Sequence, residues 1–159
     1  MILVTGATGQ LGTAVVQKLL EKTSANQIAA CVRDESKASN LKEKGIDLRI
    51  SDYDDTSSLD KAMQGIEKVL LIAGTDEDKR LQQHQNVVNA AKKAGVKCIA
   101  YTSRNLKDRN TLANKLMVAH FQTEDYIKES GLAYTLFRNV LYMDSLPYFM
   151  GEKVFESGV

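Results

Sequence analysis

Apolar residues recur along this chain in two rhythms that alternate. Short runs at 2–4, 27–32, 46–50, 68–73, 97–102 and 133–137 are rich in Ile, Val, Leu and Ala and read as six strands. Between them the spacing turns helical. Leu11, Val15, Val16, Leu19 and Leu20 recur at three and four residues after Gln10. Leu59 and Met63 share a face over 56–64, while Leu81, His84, Val88 and Ala91 line one side over 76–94. Two further helices are predicted over 34–44 and 111–130, and Gly45, Gly65, Gly95 and Gly131 stand where a glycine closes a helix. Strand and helix thus alternate from end to end. This predicts a parallel sheet with helices on both faces and right-handed crossovers. The expected architecture is an α/β, Rossmann-type doubly wound sheet of six strands in the order 3-2-1-4-5-6, with a ligand at the switch beside the first strand.

Composition changes this picture little. A chain of 159 residues is long enough for one domain with a sizeable core. The net charge is +1 with acids and bases interspersed, so neither nucleic acid nor an anionic membrane is indicated as a partner. The longest apolar runs are too short to span a bilayer. The first strand begins at residue 2, which leaves no room for a signal peptide. Cys31 and Cys98 fall inside predicted strands, where a thiol behaves as a small hydrophobe, and no metal-ligand spacing is present. A cytoplasmic, disulfide-free protein is expected.

The chemistry gathers at the strand ends. The first strand runs into a turn with Gly6, Gly9 and Gly12, followed at once by a helix. That arrangement aims free helix-start N–H groups at a phosphate. Gly6 permits the turn, Gly9 lets a pyrophosphate approach, and Gly12 lets helix and strand pack closely. Thr8, Gln10 and Leu11 complete the turn. Its spacing, G-x-x-G-x-x-G, departs from the common G-x-G-x-x-G fingerprint. Arg33 follows the second strand, where its guanidinium is able to pair with the 2′-phosphate of NADPH; the alternative is a solvated surface arginine. Asp34 reads as a helix cap rather than as the acid that selects NAD. Asp52, Tyr53, Ala73, Gly74, Thr102, Ser103, Arg138, Asn139 and Val140 all fall on the same rim, and small residues at 73 and 74 leave room for ribose and pyrophosphate. For each alone, ordinary loop polarity is the competing reading.

The segments VTGATGQLG, VRD, SDY, LLIAG, QHQNVVNAAKKAGVKCIAYTS and HFQTEDYIKESGLAYTLFRN, in this order, resemble the NmrA-like atypical short-chain dehydrogenase/reductases. The resemblance spans the chain to about residue 150. It is strongest to the branch of NADPH-dependent quinone and triphenylmethane reductases. The resemblance implies NADPH as cofactor, with the matching arginine on its phosphate and the adenine near Asp52 and Tyr53. It also implies a small-molecule acceptor such as a quinone. Members continue past the position matching Val159 into a substrate-binding lobe. Residues 1–138 are therefore expected to form the NAD(P)-binding domain, and 139–159 to begin a largely missing substrate segment. Apolar groups in that segment make it a candidate surface for self-association, and the chain by itself is expected to turn over small quinones weakly or not at all.

Short-chain dehydrogenases commonly carry Tyr-x-x-x-Lys on the fifth helix. Here the matching positions are Leu116 and His120. His120 is a candidate for orienting the nicotinamide ribose or relaying a proton, and equally for a packed helix residue. Asn139 is the other catalytic candidate, whereas His84, in line with Leu81 and Val88, reads as structural. The expected activity is hydride transfer from NADPH to an electron-poor organic acceptor. The alternatives are a regulator that senses NAD(P) without turnover, and an inactive relic.

Overall fold

The computed structural model describes residues 1–105, 115–140 and 142–143, with no side-chain description at 115 and 116. Six parallel strands form one sheet: β1 (Ile2–Val4), β2 (Ile28–Val32), β3 (Asp47–Ile50), β4 (Lys68–Leu71), β5 (Cys98–Arg104) and β6 (Ala133–Asn139). Their order is β3-β2-β1-β4-β5-β6, as the alternation of strand and helix predicts. The helices are α1 (Gln10–Leu20), α2 (Ser39–Glu43), α3 (Thr56–Ala62), α4 (Arg80–Lys93) and α5 (Lys115–Glu129). Among the described residues, no helix is long and apolar enough to cross a membrane.

The period-2 geometry of the strands divides the core in two. Leu3, Ala29, Cys31, Val69, Leu71, Ile99 and Tyr101 face Leu59, Val87, Val88 and Ile127 from the α3–α5 side. Val4, Ile28, Ala30 and Val32 face Val16, Ala38, Leu41 and Ile46 from the α1–α2 side. The central strands β1, β2 and β4 are thus apolar on both faces, which explains their uninterrupted hydrophobic runs. Gly45, Gly65, Gly95 and Gly131 all have positive φ and close the four later helical segments.

Several boundaries depart from the hydrophobic pattern, each for a local reason. The segment expected as one helix over 34–44 is a 3-10 turn at Glu35–Ala38 followed by the short α2. Asp34 caps that turn by accepting from Ser36 N at 2.9 Å. The fourth helix begins at Arg80 rather than at 76, because the Asp76 side chain accepts from the amides of Asp78 and Lys79 and holds a separate turn. β5 and β6 run past their apolar residues, to Arg104 and Asn139, because their polar ends pair in register. The expected helix residues 111–114 lie outside the described residues.

Candidate functional site

The turn after β1 is set by Gly6, whose φ of +58° is left-handed backbone. Gly12 serves packing: a Cβ there would lie 2.2 Å from Gly6 O and 2.7 Å from Ala7 Cα. The first turn of α1 therefore rests directly on the backbone of the glycine turn. Gly9 is different. Its φ of −78° suits any residue. Beyond its chain neighbours, a Cβ there would meet only Gly6 O, at 3.3 Å. The backbone conformation does not call for a glycine at 9, the one close contact is far looser than those at Gly12, and the space beside it opens on a groove. Gly9 is also the residue before α1, which starts with no side-chain cap and no acid in its first turn. Such a start attracts an anion.

The groove has a volume of about 750 Å³ and runs across the C-terminal ends of the central strands. The glycine turn and the start of α1 (Gly6, Thr8, Gly9, Gln10, Leu11 and Gly12) form its middle. Arg33 and Lys37 line the end beside β2. Asp52 and Tyr53 after β3, and Ala73 and Gly74 after β4, form the opposite wall. Asp34 turns its carboxylate on Ser36 N and Oγ, and these bonds, with a smaller effect of the Lys37 charge, hold the carboxyl below its usual range. Lys37 is the contributor that the sequence pattern hides: it stands in the 3-10 turn after Asp34 and, like Arg33, lines the groove. Cys31, Ser51, Ile72, Thr75, Asp76 and Gln83 also reach the groove. Burial pushes the Cys31 thiol up, against the opposing effect of its bond with Ser51 Oγ at 2.8 Å.

One set of bonds ties the wall together. Tyr53 Oη donates to Ile72 O at 3.0 Å and pairs with Thr5 Oγ1, which accepts from Ile72 N at 2.9 Å. Burial raises the Tyr53 phenol well above its ordinary range, so it stays a neutral hydrogen-bonding group. Three strand ends, after β1, β3 and β4, are joined at this point.

The remaining expected site residues lie beyond this groove wall. Thr102 Oγ1 accepts from Ala73 N at 2.9 Å and so touches the wall from behind. Ser103 donates to Glu124, and Arg138 pairs with the same carboxylate through Nε at 3.0 Å and Nη2 at 2.7 Å. Asn139 Nδ2 donates to Tyr142 Oη at 2.7 Å, and Val140 is exposed. Glu124 itself is fully buried. Burial alone raises its carboxyl, but bonds from Arg138 and Ser103 and the charges of Arg138 and Lys128 outweigh this and hold it below the ordinary value. It stays ionised and ties the ends of β5 and β6 to α5. Glu124→Gln keeps the shape but faces an amide toward Arg138. It should cost about 1.5–3 kcal/mol in urea unfolding, and an unchanged midpoint would show that the pair contributes nothing.

The two histidines are both buried. His120 Nδ1 lies 2.7 Å from Tyr101 Oη. Burial, then the charges of Arg80 and Arg104, hold it down to about 4, with Glu124 acting the other way. His84 is fully enclosed, and burial, then Arg80 and His120, hold it down to about 3. Both rings are neutral near pH 7. The structure places His120 within the α5–β5 packing and not among the groove-lining residues described.

A groove of about 750 Å³ with a glycine turn and an uncapped helix start at its middle and two cations among its lining residues suits an extended, multiply anionic nucleotide. Comparison with known proteins agrees with this chemistry. Quinone oxidoreductase 2 of Escherichia coli (strain K12) is 47% identical over 145 residues, covering 91% of this chain and 50% of that protein. The crystal structure of the E. coli NADPH-dependent quinone oxidoreductase complexed with NADPH superimposes with a TM-score of 0.85 at 46% identity, over 93% of this chain and 53% of its own. Triphenylmethane reductase of Citrobacter sp., complexed with NADP(H), gives a TM-score of 0.88 at 43% identity, over 99% of this chain and 54% of its own. The chain spans about half the length of the relatives it matches. The NmrA-like family model matches residues 1–158, and the chain belongs to that family.

Proposed function

We propose that the groove binds NADPH and that the protein transfers hydride from it to a quinone-like or other electron-poor organic acceptor. The observation that carries the cofactor assignment is the pairing of Arg33 and Lys37 at one end of the groove while Asp34 is engaged by Ser36. A 2′-phosphate is bound by those two cations, and Asp34, which caps the 3-10 turn, is not among the residues that line the groove. The residues present fit the rest of the cofactor. The uncapped start of α1 faces the diphosphate, and the open space at Gly9 admits it. Ala73 and Gly74 keep the β4 wall low, and Asp52 with Tyr53 borders the adenine end.

When bound, NADPH supplies the hydride, so the chain's own residues bind and orient. Thr102, Ser103, Arg138, Asn139 and Val140 stand toward the nicotinamide end. There the Glu124 pairings fix the strand ends, and Asn139 is the polar side chain next to the acceptor. His120 acts as a neutral ring bonded to Tyr101, not as an imidazolium acid. A second reading, dinucleotide sensing without turnover, is favoured by that same burial of His120. NADPH oxidation in the presence of a small quinone, even at a slow rate, supports the first reading, since a sensor gives binding with no oxidation at all.

Arg33→Glu should erase or invert the preference for NADPH over NADH and leave the unfolding midpoint unchanged, because Arg33 is exposed. Fluorescence titration with both cofactors checks this. A preference that survives the charge reversal would remove Arg33 from the phosphate site.

A further inference from the structure

Past Leu71, where β4 ends, three consecutive backbone amides are each taken by a side chain from a different part of the chain: the turn after β1, β5 and α4. Ile72 N–H donates to Thr5 Oγ1 at 2.9 Å, Ala73 N–H to Thr102 Oγ1 at 2.9 Å, and Gly74 N–H to His84 Nε2 at 3.0 Å. These residues form the groove wall beyond β4. All three donors are turned into the protein, so the wall is held from behind at three successive points.

The third bond fixes the state of His84. A ring nitrogen that accepts an N–H carries no proton, so the proton of the neutral ring lies on Nδ1. Nδ1 faces Thr123 Oγ1 at 2.9 Å, and Thr123 donates its own proton to Ala119 O at 2.7 Å. The bonds therefore run in one direction, from Gly74 through His84 and Thr123 to the backbone of α5. The seating is also close: a Cβ at Gly74 would lie 3.2 Å from Gln83 Oε1, 3.8 Å from His84 Nε2 and 3.9 Å from Tyr53 Cδ2. An imidazolium at 84 would lose its acceptor nitrogen and face the charge of Arg80.

We propose that His84 is a positioning residue of the cofactor groove: neutral and protonated on Nδ1, it anchors Gly74 to α5 and so sets the wall against which the cofactor lies. This role rests on the NADPH reading above. A histidine on the apolar side of α4 thereby gains a task that packing alone does not require, because a leucine or methionine would fill the same space without holding the amide.

The test uses the native chain and two variants titrated with NADPH. His84→Met removes the acceptor and should weaken binding about tenfold or more. His84→Gln carries an oxygen that reaches the place of Nε2, and should recover most of the affinity. A purely structural role would not produce that rescue. Methionine binding as tightly as the native chain, or glutamine binding as weakly as methionine, would overturn the proposal. Should the methionine variant fail to fold, nitrogen NMR of the native protein carries the test. A scalar coupling between Gly74 N and His84 Nε2, with the ring proton on Nδ1, is expected, and the opposite tautomer would refute the role. A native chain that does not bind NADPH would remove the cofactor reading and this role together. A native chain that binds, with an equally tight methionine variant, would remove only the role of His84.

Discussion

Gly12→Ala should unseat α1 and cost about 3–5 kcal/mol of stability. The added methyl group would lie 2.2 Å from Gly6 O and 2.7 Å from Ala7 Cα. Both are backbone atoms of a turn that Gly6 already holds in left-handed geometry, so no side chain is free to swing aside. The helix must lift or the turn must open, and either movement exposes Val16, which α1 buries against β1 and β2. Gly9→Val should behave in the opposite way. The chain should keep its fold at a far smaller cost than at Gly12, because the backbone at Gly9 suits any residue and a Cβ meets one atom, Gly6 O at 3.3 Å, which must give by only a few tenths of an ångström. Its side chain enters the groove and abolishes nucleotide binding. Unfolding midpoints and cofactor titrations on the two variants, side by side, check the distinction. A Gly12→Ala protein as stable as the native one would show that the turn relaxes in a way this packing does not allow.

Acid should destabilise the protein well before its carboxylates titrate. His84 and His120 are neutral in the folded state, held down to about 3 and about 4, against about 6.5 in the unfolded chain. Below 6.5 the unfolded chain takes up protons that the folded chain refuses, so stability is full above that pH and falls as pH drops toward the folded values. From 6.5 to 5 is about 1.5 pH units at roughly 1.4 kcal/mol each, or about 2 kcal/mol per histidine and about 4 for the pair. The groups facing these rings include Arg80, Arg104, Tyr53, Tyr101 and Glu124, and the charge of His120 also bears on His84. The two arginines oppose protonation of His120, while Glu124 favours it. The contribution of Glu124 to stability has the opposite origin. Its folded pKa is depressed, so that contribution is present above about 4.5 and lost as pH falls through the lower folded value. Urea unfolding at pH 7.5 and pH 5 should therefore give clearly different free energies, and replacing both histidines should flatten the difference. Equal stability at the two pH values would mean that the rings are not buried as neutral groups.

The strand order and the glycine turn were legible because they depend on local pattern. Apolar runs such as Ile2–Val4 mark strands covered on both faces. The alternation with helices then admits few parallel topologies. What the pattern hides depends on tertiary partners. Lys37 stands in the 3-10 turn after Asp34 and, like Arg33, lines the groove. His84 reads as a core residue by spacing, and the structure buries it fully, yet nothing local shows that its acceptor nitrogen holds Gly74. The ends of β5 and β6 extend through Ser103 and Arg138 because Glu124, far along the chain, engages both side chains. The rim residues of β1 to β4 line the groove together, whereas those of β5 and β6 stand apart from it among the described residues.

The most direct test of the central claim is a calorimetric titration of the native chain with NADPH and, separately, with NADH. Two cations at the β2 end of the groove, with Asp34 turned away, predict tighter binding of NADPH by about 1.5–3 kcal/mol, or roughly ten- to two-hundredfold. Equal affinities for the two cofactors, or binding of neither, would contradict the account.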